Sequence, residues 1–274
     1  MIDVINYHIT NVCNYRCQYC FVGFREREPE KETALKIVEK IHEFFIENGV
    51  KGGRINIAGG EPLLYPHLND VIEHANSLGL KVSIITNGSL LTEKMISNWK
   101  GGVQTIGISI DAISEEVNCT IGREHNGTSL SDGQLFSICD CIHKNGIKLK
   151  INTVVSKLNL GENMLAVYQR INPDRLKFLC MHVLDNINSA ASNLKPTNEE
   201  FMQFVAKNRY RKTSEFIIEP EGTMQNSYVM ISPCGNVFLN EDGEGRTYGN
   251  CLVQDLCEIY RALPLDSEKY KLRY

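Results

Sequence analysis

Long hydrophobic runs are missing from these 274 residues: none approaches the roughly 20 apolar residues that a bilayer crossing needs. A signal-peptide pattern is missing as well, because Met1 leads almost directly into VINYHI. A cytoplasmic protein without a membrane partner is expected. Excess charge of one sign is also absent. The formal net charge of -4 gives no general attraction for nucleic acid or anionic lipid, so any basic patch must be local and have a local cause. The phosphate-binding patterns G-x-G-x-x-G and G-x-x-x-x-G-K-[ST] do not occur, which argues against a flat dinucleotide-binding sheet. With no low-complexity linker and no clear internal repeat, the chain reads as one domain, and 42% apolar residues suffice for its core.

Cysteine is plentiful. Ten cysteines in a reducing compartment point to metal binding or plain burial rather than to disulfides. Seven of them, Cys119, Cys139, Cys141, Cys180, Cys234, Cys251 and Cys257, are scattered and read as small buried hydrophobes.

Short β-like runs alternate with helical ones. INYHI (5–9), INIA (55–58), VSIIT (82–86), TIGISI (105–110), LKINTVV (149–155) and RLKFLCMHV (175–183) are separated by helical stretches near 31–48, 68–79, 92–99 and 130–145, with another at 161–171. Six such units imply an α/β fold with a parallel sheet, a partial (β/α)6 barrel over residues 1–210. Residues 211–274 read as a C-terminal extension of the same domain that closes the site. It holds a hairpin, SYVMIS (227–232) and NVFLN (236–240) joined through Pro233, Cys234 and Gly235, then a glycine-rich loop (241–250) and a tail.

Cys13, Cys17 and Cys20 form C-x3-C-x2-C just after the first expected strand, where such a barrel places its active-site loops. Three thiolates this close can hold three irons of a cubane, whereas zinc needs a fourth ligand; on spacing alone, a zinc knuckle or chance cysteines are the alternatives. Gly59-Gly60-Glu61-Pro62 closes the second strand, and two glycines there let backbone approach a ligand closely, although a bare GGEP also suits a plain turn. In this order the two motifs resemble those of the radical S-adenosylmethionine (SAM) superfamily. The resemblance implies a [4Fe-4S] cluster whose fourth iron is held by the amino and carboxylate groups of SAM, with GGEP receiving the SAM methionine.

Along LKIN, Lys148, Lys150 and Asn152 share one face, and Arg175 and Lys177 repeat this on the next strand, with apolar residues turned the other way. If the apolar faces pack under helices, the cations enter the barrel, where unpaired charge is costly. No acid stands on the same strand faces, and the nearby inward residues Asn56 and Ser109 are neutral. These cations, with Arg123 and Arg246 in glycine-containing loops, exceed what a carboxylate requires and suit a triphosphate. Snorkelling at strand ends, or pairing with acids from other elements, is the alternative.

Most of the chain is similar to the viperin family of radical SAM nucleotide dehydratases. The segments are NYHIT with CNYRCQYCF, INIAGGEPLL, TNGSL, ISIDA with VNCTIGR, LKINTVV, RLKF and NSYVMI, together with the final Tyr270-Lys271-Leu272-Arg273-Tyr274, in which Tyr274 stands where animal members have Trp. The resemblance is to prokaryotic-type members, without the animal amphipathic membrane helix. It implies that Cys13, Cys17 and Cys20 hold the cluster, and that Gly59, Gly60, Glu61, Asn87, Ser109 and Arg123 contact SAM. It further implies a ribonucleoside triphosphate substrate on Arg54, Asn56, Lys150, Asn152, Arg175, Lys177 and Arg246, with Tyr228 and Lys271 as catalytic candidates. By the resemblance the expected substrate is CTP, UTP or GTP, with CTP slightly favoured, and the expected product is the 3′-deoxy-3′,4′-didehydro nucleotide, a chain terminator in antiviral defence. A flavodoxin- or ferredoxin-type electron donor and the iron–sulfur assembly machinery are the implied partners. The rival readings are a radical SAM enzyme acting on a peptide or small metabolite, against which the late cysteines offer no C-x2-C pair, and a metal-binding module without catalysis.

Overall fold

The computed structural model describes residues 1–22, 26–241 and 243–273, so Tyr274 lies outside the described residues. The chain runs through β1 (Val4–Thr10), α1 (Lys31–Glu47), β2 (Arg54–Gly59), α2 (Leu68–Ser77), β3 (Lys81–Thr86), α3 (Glu93–Asn98) and β4 (Val103–Ser109). It continues with α4 (Glu115–Ile121), α5 (Asp132–Lys144), β5 (Lys148–Val155), α6 (Leu165–Ile171) and β6 (Arg175–Cys180). The six strands pair in parallel in chain order, as the alternation predicts. Period-two patterning sets the layers. In β5, Leu149, Ile151 and Val155 are fully buried against the helices, while Lys150, Asn152 and Val154 face the concave side half-buried.

The sheet is open and larger than the six expected strands. After α7 (Asn198–Asn208), β7 (Glu215–Glu219) adds in parallel to β6. At the other edge β8 (Met230–Ile231) pairs in parallel with β1 and antiparallel with β9 (Asn236–Glu241), which completes the expected hairpin. Residues 244–250 are a strand rather than a glycine-rich loop: β10 (Glu244–Asn250) pairs antiparallel with β9 through a bulge near Thr247 and Gly249. Glycine is tolerated there because β10 is an edge strand and Gly249 lies against Gln254 and Ile259, where a Cβ would be crowded. α8 (Leu256–Ala262) and α9 (Ser267–Lys271) end the chain. The strand order β10-β9-β8-β1-β2-β3-β4-β5-β6-β7 curls round one cavity, and no helix of the described residues is long and apolar enough to cross a membrane.

Candidate active site

One cavity of about 280 Å³ is lined at one end by Cys13, Cys17 and Cys20 and towards the other by Lys150, Asn152, Lys177 and Tyr228. A wider surface hollow beside Phe216 contains none of the residues singled out from the sequence.

The thiol end is assembled by backbone contact. Gly60 N donates to Thr10 O (2.7 Å) and Glu61 N to Val12 O (2.8 Å), so the GGEP segment is laced to the start of the cysteine loop. A Cβ on Gly59 or Gly60 would collide with the carbonyl of Thr10 or Val12. The glycines are therefore required by the close approach of two protein strands, not by a ligand alone. On the far side Arg16 N and Gln18 N donate to Gly122 O and Ile121 O (both 2.9 Å), pinning the loop to the end of α4. Glu61 turns away from the cavity. Its fully buried carboxylate accepts from Thr86 Oγ1 (2.7 Å), Asn87 N (2.7 Å) and Leu63 N (3.1 Å), joining the GGEP turn to the end of β3. Asn87 does line the cavity, with Nδ2 donating to Asn14 (2.9 Å).

Ser109 and Arg123 also line it. Arg123 donates to the Ser109 carbonyl (2.7 Å), pairs with Asp111 (2.9 Å) and lies 3.9 Å from Cys17 Sγ. Asp111 also accepts from Tyr19 Oη (2.6 Å). This buried carboxylate was not singled out in the sequence, although it sits in the matched ISIDA segment.

The floor is basic, with an acid at its centre. Lys177 forms an ion pair with Glu219 and donates to Tyr228 Oη, whose own hydroxyl donates to Glu219 (2.7 Å). Strand β7, which the sequence reading lacked, supplies Glu219, so for Lys177 the alternative of pairing with an acid from another element holds. Burial of Glu219 is outweighed by Lys177 and Arg273, which hold its carboxyl below the usual range. Burial pulls Lys177 down to about 8 against the pull of Glu219. Lys150 is different. Burial and the neighbouring Lys177, Arg175 and Arg54 draw it well below its ordinary value, and among the described residues no carboxylate oxygen lies within 4.0 Å of its nitrogen. Lys148 is exposed at the strand end, which fits snorkelling.

Arg54 and Arg175 lie under the cavity rather than in its lining. Arg175 donates to the Arg273 carbonyl and approaches Glu215 at 3.4 Å. Asn56 is buried and donates to Asn6 (3.0 Å), which lines the cavity. Two candidates are not brought in. Arg246 is 65% exposed on β10 and pairs with Glu241; Lys271 is 69% exposed on α9 and pairs with Glu268. The tail contributes Arg273 instead, 2% exposed, 3.3 Å from Glu219 and with its guanidinium 4.0 Å from the Tyr228 ring centre. Residues two apart on a helical turn point to nearly opposite sides, so a tail that buries Arg273 exposes Lys271.

The radical SAM superfamily profile matches residues 7–171. An S-adenosylmethionine-dependent nucleotide dehydratase from Flammeovirga pacifica is 32% identical over 89% of this chain and 84% of its own length. This chain belongs to the viperins. A namesake from Lacinutrix mariniflava is 32% identical over 98% of this chain, which spans 57% of that relative's length. Streptococcus suis SuiB bound to S-adenosylmethionine, at 16% identity, covers 98% of this chain and 68% of its own with a TM-score of 0.69, and shares the fold.

Viperins are radical SAM nucleotide dehydratases that use a [4Fe-4S] cluster and SAM, and the residues present fit that cluster. Cys13, Cys17 and Cys20 line one cavity together, which supplies the three thiolates that a cubane takes from protein and one fewer ligand than a structural zinc site needs. Burial pushes the Cys17 thiol up to about 12, against the pull of Arg123, and raises Cys13 and Cys20, so these thiolates need a bound cation to form at neutral pH. Cys13, Cys17 and Cys20 would hold the viperin cluster, with Asn87, Ser109 and Arg123 beside it for SAM.

Proposed function

We propose that this chain converts a ribonucleoside triphosphate, CTP, UTP or GTP with CTP favoured, to its 3′-deoxy-3′,4′-didehydro analogue, a terminator of RNA chains in antiviral defence. One observation supports the triphosphate most directly: Lys150 faces the cavity without a carboxylate partner among the described residues, surrounded by further cations. Charge-assisted contacts to phosphate oxygens fill that vacancy better than a single carboxylate would. When bound, the cluster supplies the electron that splits SAM and so yields the radical that removes the ribose 4′ hydrogen.

The chain's own groups do the rest. Lys150 and Lys177 hold the phosphates and fix the ribose against the thiol end, with Asn152 between them in register. The departing 3′ hydroxyl takes one proton and leaves as water, and a second electron completes the double bond. Tyr228 Oη, hydrogen-bonded to both Lys177 and Glu219, is the proton-bearing atom beside the floor. A flavodoxin- or ferredoxin-type donor in the cytoplasm would supply both electrons, and the iron–sulfur assembly machinery the cluster. The test is an anaerobic incubation of reduced, cluster-loaded enzyme with SAM and each of the four triphosphates or its nucleoside. One triphosphate should yield a product lighter by one water together with 5′-deoxyadenosine. Turnover of nucleosides as fast as triphosphates would overturn the reading.

A further inference from the structure

The cavity wall beyond β6 carries a polar atom that the chemistry above does not use. His182 lines the cavity two residues after the end of β6, and its Nε2 is buried without a hydrogen-bond partner. Its backbone is firmly placed. Asn188 Nδ2 donates both to the His182 carbonyl (3.0 Å) and to the Tyr19 carbonyl (3.1 Å), and Asn188 Oδ1 accepts from Leu184 N (2.7 Å). One side chain therefore fixes the histidine relative to the cysteine loop. Below it, Leu179 and Val154 pair in register and present an apolar wall to the same cavity. His182 stands beyond the end of β6 and Lys177 within it, so the two line different levels of the same cavity. Burial, helped by Lys195, holds its pKa below the ordinary histidine value, so at neutral pH the ring offers one N–H and one bare nitrogen. Such a ring suits neither a phosphate nor an apolar group. It matches the donor and acceptor pattern on the edge of a heteroaromatic base.

We propose that His182 reads the edge of a nucleobase held in this cavity, the adenine of SAM or the base of the nucleotide substrate. The proposal rests on the nucleotide reading above and adds to it a residue that discriminates between bases. Its test uses cluster-loaded wild type, His182→Leu, which removes the polar edge at similar bulk, and His182→Gln, which restores a donor and an acceptor. Dissociation constants are measured at equilibrium, without turnover, for SAM alone and for CTP, UTP and GTP in separate titrations. Loss of one such hydrogen bond should weaken one ligand about fivefold to tenfold in His182→Leu, and His182→Gln should recover most of it. Weakening of SAM assigns the adenine. Weakening confined to one triphosphate, with the preference among the three narrowed, assigns the substrate base. If His182→Leu binds SAM and all three triphosphates within twofold of wild type, the proposal is overturned. A wild type that binds no triphosphate would defeat the nucleotide reading instead, and the SAM titration would still decide the role of His182.

Discussion

The two ends of the cavity are built in opposite ways. The thiol end comes from short stretches around residues 10–20, 59–61, 86–89 and 121–123, laced together by backbone hydrogen bonds and by the Glu61 carboxylate. The floor draws one or two residues each from β2, β5, β6, β7, the approach to β8 and the turn after α9, from Arg54 to Arg273. Ligands at a fixed spacing can be written in a few consecutive residues, whereas a bed for a long polyanion has to be gathered by the fold. The thiol end should therefore fail all at once, and the floor by degrees.

The sharpest break is at the cysteines. Replacing Cys13, Cys17 or Cys20 by Ala should abolish iron binding and 5′-deoxyadenosine formation while the far-ultraviolet spectrum is kept, because none of the three side chains is fully buried and the loop forms no helix or strand. Retention of full SAM cleavage would remove that cysteine from the site. Cys139→Ala or Cys141→Ala, on the buried side of α5, should leave SAM cleavage in place.

At the floor, Lys150→Ala or Lys177→Ala should lower the unsaturated nucleotide about a hundredfold, since misplacement by about 1 Å is enough for that loss, and lower 5′-deoxyadenosine much less. Both products are quantified from the same reactions. If they fall together to background, the two ends do not act independently and the contrast between them collapses.

A smaller effect separates the ends by pH. Lys177 binds phosphate when protonated, and burial draws its pKa down to about 8, with Glu219 raising it and Arg273 and Arg175 lowering it further. The value of kcat/KM for the triphosphate reports the free enzyme, so it should fall about tenfold between pH 7 and 9 as this proton is lost. Lys177→Arg should flatten the decline, and SAM affinity measured without nucleotide should lack it. The smallest effect is expected at the two displaced candidates: Arg246→Ala and Lys271→Ala should change kcat/KM by less than about twofold, because both side chains pair on the surface.

The six inner strands, the outer helices and the cysteine loop were legible because each depends on periodicity or spacing within about ten residues. Lys150 and Lys177 could be aimed inward from alternation alone. Glu219 could not, because Glu215-Phe-Ile-Ile-Glu219 is a short strand with no alternation to mark an inner face, and it adds at an edge by pairing with β6. Arg273 was hidden by the hand of one helical turn, and β10 by glycines that an edge strand accommodates. The GGEP glycines were found for a partial reason: a ligand nearby suggests them, but the carbonyls of Thr10 and Val12 demand them. His182 had no motif around it, and only its place in the cavity wall marks it.

Around the floor, Arg54, Lys150, Arg175, Lys177 and Arg273 face two carboxylates, Glu215 and Glu219. Without a ligand this region repels itself, and the folded chain carries that repulsion as lost stability. A bound polyanion removes it, so occupancy and resistance to unfolding are thermodynamically linked: a ligand at a hundred times its dissociation constant deepens the native state by about 2.7 kcal/mol. The protein should last longer in a cell well supplied with its substrate than in a starved one, and its abundance should follow nucleotide supply without any dedicated regulator.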